Sequence, residues 1–348
     1  MKKLFLNIFI LTVACYQLRA QSVNYRFINF GPKDGLADKF IYSAAQDKQG
    51  YMWFGTGTGL YRYDGVAFKS FRSNADKAGH TISNVLQSVY ADKSGNLWLG
   101  SLNDLQWYNP AINKFWRPDE KSDPVKKLTA AYIFNFYQDA SGDVWISTSK
   151  NYFFRFNSRD SSFIHYKNIF PASASAATLK ILEAGNKFFA VHAEGLYQFY
   201  SPQHPAVFYS FPFPDDAIAN ATVSSEGILI STYSHGVYVF NPQTKQYTAS
   251  RYNNEKLKAT NIFCAVEKDG QVWAGSYPLF RVDGDKTTAV FENKRQNEFE
   301  LAANKIGNLF FDRENNLWIC SYNGLSLMPW QNQQIQQVPL SDISIGST

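Results

Sequence analysis

Two histidines and a carboxylate raise the first chemical question. His192 and Glu194 lie in "AVHAEGLY", and His235 lies in "TYSHGVY". Two imidazoles and a carboxylate can hold a divalent ion or act as acid and base. Interleaved with them is a second chemistry. Tyr233, Tyr277 and Tyr322 stand near Asn323, Asn103 and Lys150 at comparable places in the chain. Ring faces beside amides, hydroxyls and a cation suit a sugar, whose apolar faces stack while its hydroxyls take hydrogen bonds.

Other reactive patterns fail on context. "GTGTG" (55–59) has the glycines of a phosphate loop but no following helix. Asp47, Asp92, Asp139 and Asp312 each sit at a separate turn, not in one dense oxygen-ligand loop, so they read as turn residues rather than Ca²⁺ ligands. No Ser-His-Asp or Cys-His arrangement follows from spacing, and His80, His165 and His204 are scattered. No cofactor is expected.

What must position these residues is a repeat. "DKQGYMWFGTGTGLYRYDG" (47–65) recurs as "DKSGNLWLGSLNDLQWY" (92–108), "DASGDVWISTSKNYFFRF" (139–156), "DGQVWAGSYPLFRVD" (269–283) and "DRENNLWICSYNGLSL" (312–327), with weaker copies at 185–199 and 226–240. The copies centre on Trp53, Trp98, Trp145, Phe189, Ile230, Trp273 and Trp318, at steps of 45, 47, 44, 41, 43 and 45 residues. A period in the forties is that of propeller blades. Within one copy, 40–46 suits an inner strand and 47–50 a turn in which Asp bonds the backbone ahead. A second strand (51–56), a third opening at Gly59, and an outer strand (67–71) follow. The expected fold is all-β: a seven-bladed β-propeller over 21–340, with four antiparallel strands per blade and a short tail, 341–348. Residues 25–30, "YRFINF", resemble an outer strand and are expected to close the ring in the last blade, with "QQIQQV" (333–338) as the competing closer.

The first 20 residues read as a secretory signal: Lys2 and Lys3, an apolar run from Leu4 to Ala14, and Ala20 at the cleavage point. Cleavage before Cys15 with lipid attachment is the alternative. Removing the signal leaves 31 basic against 29 acidic residues. So balanced a surface argues against nucleic acid or an anionic membrane as partner. No later apolar run is long enough to span a bilayer, and the mature chain is expected to be exported or periplasmic. Cys264 and Cys320 read as free buried thiols.

The stretch "DGL…IYSAAQDKQGYMWFGTGTGLYRYDG" resembles the two-component regulator propeller repeat, with Asp47, Gly50, Trp53, Gly55, Thr56, Gly59, Leu60 and Tyr63 in register. The resemblance implies the periplasmic sensor region of hybrid two-component histidine kinases, hence ligand sensing. The chain carries no phosphoacceptor-His region, ATP-binding glycine boxes or DNA-binding module. It is therefore expected to be a stand-alone binding propeller or a shortened sensor.

On a propeller, ligand sites gather where the second-to-third-strand loops and the blade connections meet. That places Asn103, Lys150, His192, Glu194, Tyr233, His235, Tyr277, Tyr322 and Asn323 around one mouth. An oligosaccharide or other small ligand is the expected partner, with a membrane sensor kinase or self-association as further possibilities. Thr56, Ser101, Thr148, Ser276 and Ser321 recur at one place and are expected to hydrogen-bond between blades. The alternatives are a docking platform, favoured by a stripe at Trp107, Phe115 and Trp116, and an enzyme using His192, Glu194 and His235. Some antibiotic-opening lyases are seven-bladed propellers with a His/Glu site, which makes the enzyme reading a fold analogy.

Overall fold

The structure, a computed structural model, describes residues 25–71, 85–119, 121–150, 152–284, 286–294 and 300–330. The expected signal sequence, Cys15, the 333–338 segment and the 341–348 tail lie outside the described residues.

Seven four-stranded antiparallel sheets form the ring. Blade one is Ile41–Gln46, Met52–Thr56, Gly59–Tyr63 and Phe68–Phe71. Blades two to six repeat this order, with inner strands Leu86–Ala91, Ile133–Gln138, Lys180–Ala184, Ile218–Ser224 and Cys264–Lys268. Among the described residues, blade seven has three consecutive strands, Ile306–Phe311, Leu317–Ser321 and Gly324–Met328. Its outer strand is Ile28–Phe30 from the N-terminal end, with Asn29 opposite Ser326. Pairing the two ends of the ring in one sheet leaves no open seam between blades.

The repeated tryptophans are the packing centres. Trp53, Trp98, Trp145, Trp273 and Trp318 are all buried between blades. Four of them are also locked by the turn aspartate six residues earlier. The indole Nε1–H donates to Oδ2 of Asp47 (2.6 Å), Asp92, Asp139 and Asp312 (2.9 Å each). Oδ1 of Asp139 meanwhile takes the backbone N–H groups of Ser141 and Asp143. One buried carboxylate thus shapes the turn and satisfies the indole. Blades four, five and six instead turn through short hairpins at Gly185-Asn186, Ser225-Glu226 and Asp269-Gly270.

The glycine two places after the tryptophan has a packing cause. A Cβ on Gly100 would lie 2.5 Å from Ile133 Cγ2 of the next blade, and one on Gly55 would lie 2.5 Å from the Leu86 carbonyl oxygen. Cys320 occupies this place in blade seven, and both it and Cys264 are free and buried. Burial pushes the Cys264 thiol up to about 12.

The recurrent hydroxyls behave differently from expectation. Thr56, Ser101, Thr148 and Ser321 donate to carbonyls within their own loops, at Gly59, Asp104, Tyr152 and Gly324. Ser276 donates to Asn261, in the connection entering its own blade. Blade-to-blade bonds run through backbone carbonyls instead. Thr148 and Ser276 accept from the N–H groups of Thr178 and Ile306 as the next blade begins. A short hydroxyl reaches its own hairpin, whereas the carbonyl projects sideways from the strand.

Candidate functional site

The second-to-third-strand loops and the blade connections share one face because hydrogen bonds tie them together. Gly57 donates to Phe40, Asn103 to Ala131, Ser149 to Tyr132, and Tyr322 to Lys305, each through its backbone N–H. At this face five inner strands carry a β-bulge in the same place, between Ile41/Ser43, Leu86/Ser88, Ile133/Asn135, Ile218/Asn220 and Ile306/Asn308. A bulge re-aims a side chain. The residues so placed are Tyr42, Gln87, Phe134, Ala219 and Gly307, all half-buried at the rim of the axial channel. Blade six has no bulge there and places Phe263 at the rim, its N–H donating to Gly275.

These residues join with the expected tyrosines into an arc. Tyr233 packs on Phe263 (centroids 6.3 Å apart), and Phe263 packs on Tyr277 (5.3 Å). The Lys305 ammonium lies 5.9 Å from the Tyr277 ring and 4.4 Å from the Tyr322 ring. Tyr322 then meets Tyr42 edge-on at 6.2 Å. Burial, followed by the neighbouring Tyr132, Asp38 and Tyr322, pushes the Tyr42 phenol up. Gln87 hydrogen-bonds the Tyr132 hydroxyl. The arc runs from blade five through six, seven, one and two to blade three. Gly307 is small because the Tyr322 ring covers it, with Cε2 only 2.9 Å from where a Cβ would be. Tyr233, Tyr277 and Tyr322 remain 40–50% exposed, leaving ring surface for a ligand.

The expected site residues divide. Tyr233, Tyr277 and Tyr322 lie on the arc, with Asn323 exposed beside Tyr322. Asn103 and Lys150 are exposed on the loops of blades two and three. His235 is held at the mouth: Nδ1 lies 2.8 Å from Asp216 Oδ2, and its ring stacks on Phe213 at 4.1 Å. Asp216 also accepts from the backbone N–H groups of Tyr233 and Ser234. Burial alone would raise its carboxyl, but the bond from His235 and backbone N–H bonds hold it below the usual aspartate range.

His192 is corrected from ligand to packing residue. It is fully buried, bonded through Nε2 to Thr178 Oγ1 at 3.0 Å, and wedged against Phe170 and Tyr197. Glu194 lies 3.6 Å from its Nδ1 and is partly exposed. Burial opposes ionisation of Glu194, but hydrogen bonding to His192 and to backbone keeps its carboxyl low. His192 and His235 thus have separate partners rather than a shared centre. Among the described residues, no three His, Cys, Asp or Glu are grouped to hold a metal ion. The docking stripe is half-buried: Phe115 stacks on Tyr108, Trp107 packs on Trp98, and Lys114 lies over Trp116.

Sequence reasoning missed Tyr42, Gln87 and Phe134, although each stands eleven residues before its repeat's tryptophan. It also missed Lys305, Phe263 and Asp216, which lie in connections that do not repeat. Asp38 joins this group. Its Oδ1 accepts the Phe40 N–H, while its buried Oδ2 has no partner among the described residues and lies over Gly57.

Comparisons with known proteins agree with the repeat and the ring. The family model "Two component regulator propeller" matches residues 35–58. Histidine kinase P4 of Formosa agariphila is 36% identical over 70 residues, which is 20% of this chain and 5% of that protein. The extracellular domain of the putative hybrid two component system BT3049 of B. thetaiotaomicron superposes with a TM-score of 0.75 at 21% identity. The match covers 88% of this chain and 42% of that one. Virginiamycin B lyase from Staphylococcus aureus shares the fold at a TM-score of 0.66 and 10% identity, covering 87% and 98% of the two chains. The chain therefore spans less than half the length of the sensor domain it matches. Among the described residues, no helix is long and apolar enough to cross a membrane. In repeat motif and in ring architecture, the chain resembles the two-component regulator propellers found in extracellular domains of hybrid two-component systems.

Proposed function

We propose that this protein is an exported sensor propeller that binds a carbohydrate-like ligand at its mouth and performs no chemistry on it. The observation that carries the reading is the arc Tyr233–Phe263–Tyr277–Lys305–Tyr322–Tyr42, in which ring faces and polar tips alternate along one rim. Pyranose rings present apolar C–H faces to such rings and hydroxyls to the groups between them. Asp38 Oδ2, buried without a partner among the described residues, offers an acceptor to a ligand hydroxyl. The likeness to sensor domains supports a role in signalling, with a membrane sensor kinase or a second copy of the chain as partner.

The test is a thermal-shift screen of the mature chain against an oligosaccharide panel, followed by calorimetry. A ligand at 100 times its dissociation constant adds about 2.7 kcal/mol of stability, which a melting curve resolves. The double variant Tyr277→Ala/Tyr322→Ala is expected to fold normally, since both rings are exposed, and to lose binding. Wild-type affinity in that variant overturns the assigned mouth.

A further inference from the structure

Just inside the rim, each inner strand places one residue at the same register position, opposite its partner on the second strand. Ser43, Ser88, Asn135, Asn220, Cys264 and Asn308 hold this place in six blades, opposite Gly55, Gly100, Ser147, Ser231, Gly275 and Cys320. In blade four the residue is Lys180, opposite Val191. The collar is polar and uncharged except for this one ammonium. Its neighbours are engaged with the seams between blades: Ser88 donates to the Ile133 carbonyl and Asn308 to the Tyr42 carbonyl. Lys180 makes no ion pair or side-chain hydrogen bond among the described residues.

Lys180 is half-buried by solvent exposure, yet protein surrounds it closely enough that burial lowers its ammonium's pKa. An unpaired ammonium in such a place costs stability. Strongly desolvated groups concentrate at functional sites.

We infer that the collar around Lys180 is a subsite for an acidic group, a carboxylate or sulfate carried by the saccharide, which descends from the mouth into the channel. This rests on the proposed mouth and names its ligand class. Lys180 and Lys305 are the cations available to such a group, one below the rim and one on it. Two carboxylates of blades four and five are engaged, Asp216 with His235 and two N–H groups and Glu194 beside His192, while Asp38 holds the Phe40 N–H through Oδ1 and keeps Oδ2 for a ligand hydroxyl. Asn135 and Asn220 hold the same register place in the adjoining blades.

The experiment is calorimetry on the mature chain with three probes of matched length: a neutral, a uronate-containing and a sulfated oligosaccharide, plus inorganic sulfate. Lys180→Met and Tyr277→Ala/Tyr322→Ala are run alongside. An acidic probe is expected to bind at least tenfold more tightly than the neutral one, with a preference that weakens as salt rises. Lys180→Met is expected to erase the preference while keeping the neutral affinity. Which acidic probe prevails identifies the group. Equal affinity for neutral and acidic probes, or a preference that survives Lys180→Met, overturns the subsite and leaves the mouth standing. A preference abolished by Lys180→Met but untouched by the tyrosine double variant overturns the mouth and leaves the subsite. Inorganic sulfate binding as tightly as the sugars overturns the saccharide assignment. Binding by none of the probes overturns both.

Discussion

Blades one, two, three and seven and blades four, five and six build the same four-stranded sheet by different means. In the first group a buried aspartate shapes the turn and holds the tryptophan indole, as Asp139 does by accepting from the Ser141 and Asp143 N–H groups, the Ser141 hydroxyl and the Trp145 indole. In the second group short hairpins suffice, and the side chains in the tryptophan's register are Phe189 in blade four and Leu229, rather than the expected Ile230, in blade five, which need no hydrogen bond. Where the repeat is strictest, its residues are occupied with holding the blade. Of the residues proposed for the site, Lys180, the Asp216–His235 pair, Phe263 and Tyr277 belong to blades four to six or their connections, and Tyr42 and Tyr322 are added by blades one and seven. A repeat position satisfies the same local demand in every blade, whereas a ligand is asymmetric and needs residues that differ from blade to blade.

The comparison can be broken most forcefully at the packing centres. Trp145 is buried against Phe153, Tyr166, Phe188 and Phe199. Trp145→Ala is expected to cost about 3–5 kcal/mol in denaturant unfolding, and a loss below about 1 kcal/mol removes the tryptophan from its central role.

The turns give a sharper contrast. Asp139→Ala strands a buried indole N–H and two backbone N–H groups, with an expected loss of about 2–3 kcal/mol. Asn186 occupies the blade-four hairpin with φ of +59°, a conformation glycine adopts freely, so Asn186→Gly is expected to change stability by about 0.5 kcal/mol or less. Equal losses in the two variants erase the distinction between locked and hairpin blades.

Asp216 tests whether an irregular connection can be as well organised as a repeat turn. Asp216→Ala removes its bonds to Tyr233, Ser234 and His235 and is expected to cost about 1–2 kcal/mol. It should weaken ligand binding more than stability, because Tyr233 loses its anchor. Unchanged affinity detaches that loop from the mouth.

The smallest effect has the opposite sign. Lys180→Met relieves a desolvated charge and is expected to stabilise by on the order of 1 kcal/mol near neutral pH. Because burial lowers the folded-state pKa of Lys180 below the ordinary 10.5, the unfolded chain holds that proton more tightly. Wild-type stability linked to this group therefore rises as pH climbs from the lowered value towards 10.5. The advantage of the variant in melting scans should shrink over the same range. A constant or growing advantage contradicts a desolvated ammonium.

How much was legible depended on whether a demand was local. The Asp–Trp spacing and the glycine after the tryptophan announced seven blades, because each reflects contacts within a blade or at a repeated seam. The outer-strand look of 25–30 made it one of two candidate closers, and the structure pairs Ile28–Phe30 with the last blade. Tyr233, Tyr277 and Tyr322 could be placed on one face from loop position alone. The bulges could not be seen, since an extra residue in an inner strand leaves no mark on a strand of mixed composition. His192 and His235 looked equivalent in the sequence. Folding buried one beside Thr178 and Phe170 and held the other at the mouth with Asp216, a residue from a connection that does not repeat.

The sequence by itself therefore determined the ring: its blade number, its strand order and the packing centres. These follow from side-chain period, turn chemistry and a repeat of about 45 residues. Only the tertiary structure decided which residues from different blades meet at the rim and which face the channel. Those neighbours are brought together by ring closure across distant parts of the chain, and no local spacing encodes that approach.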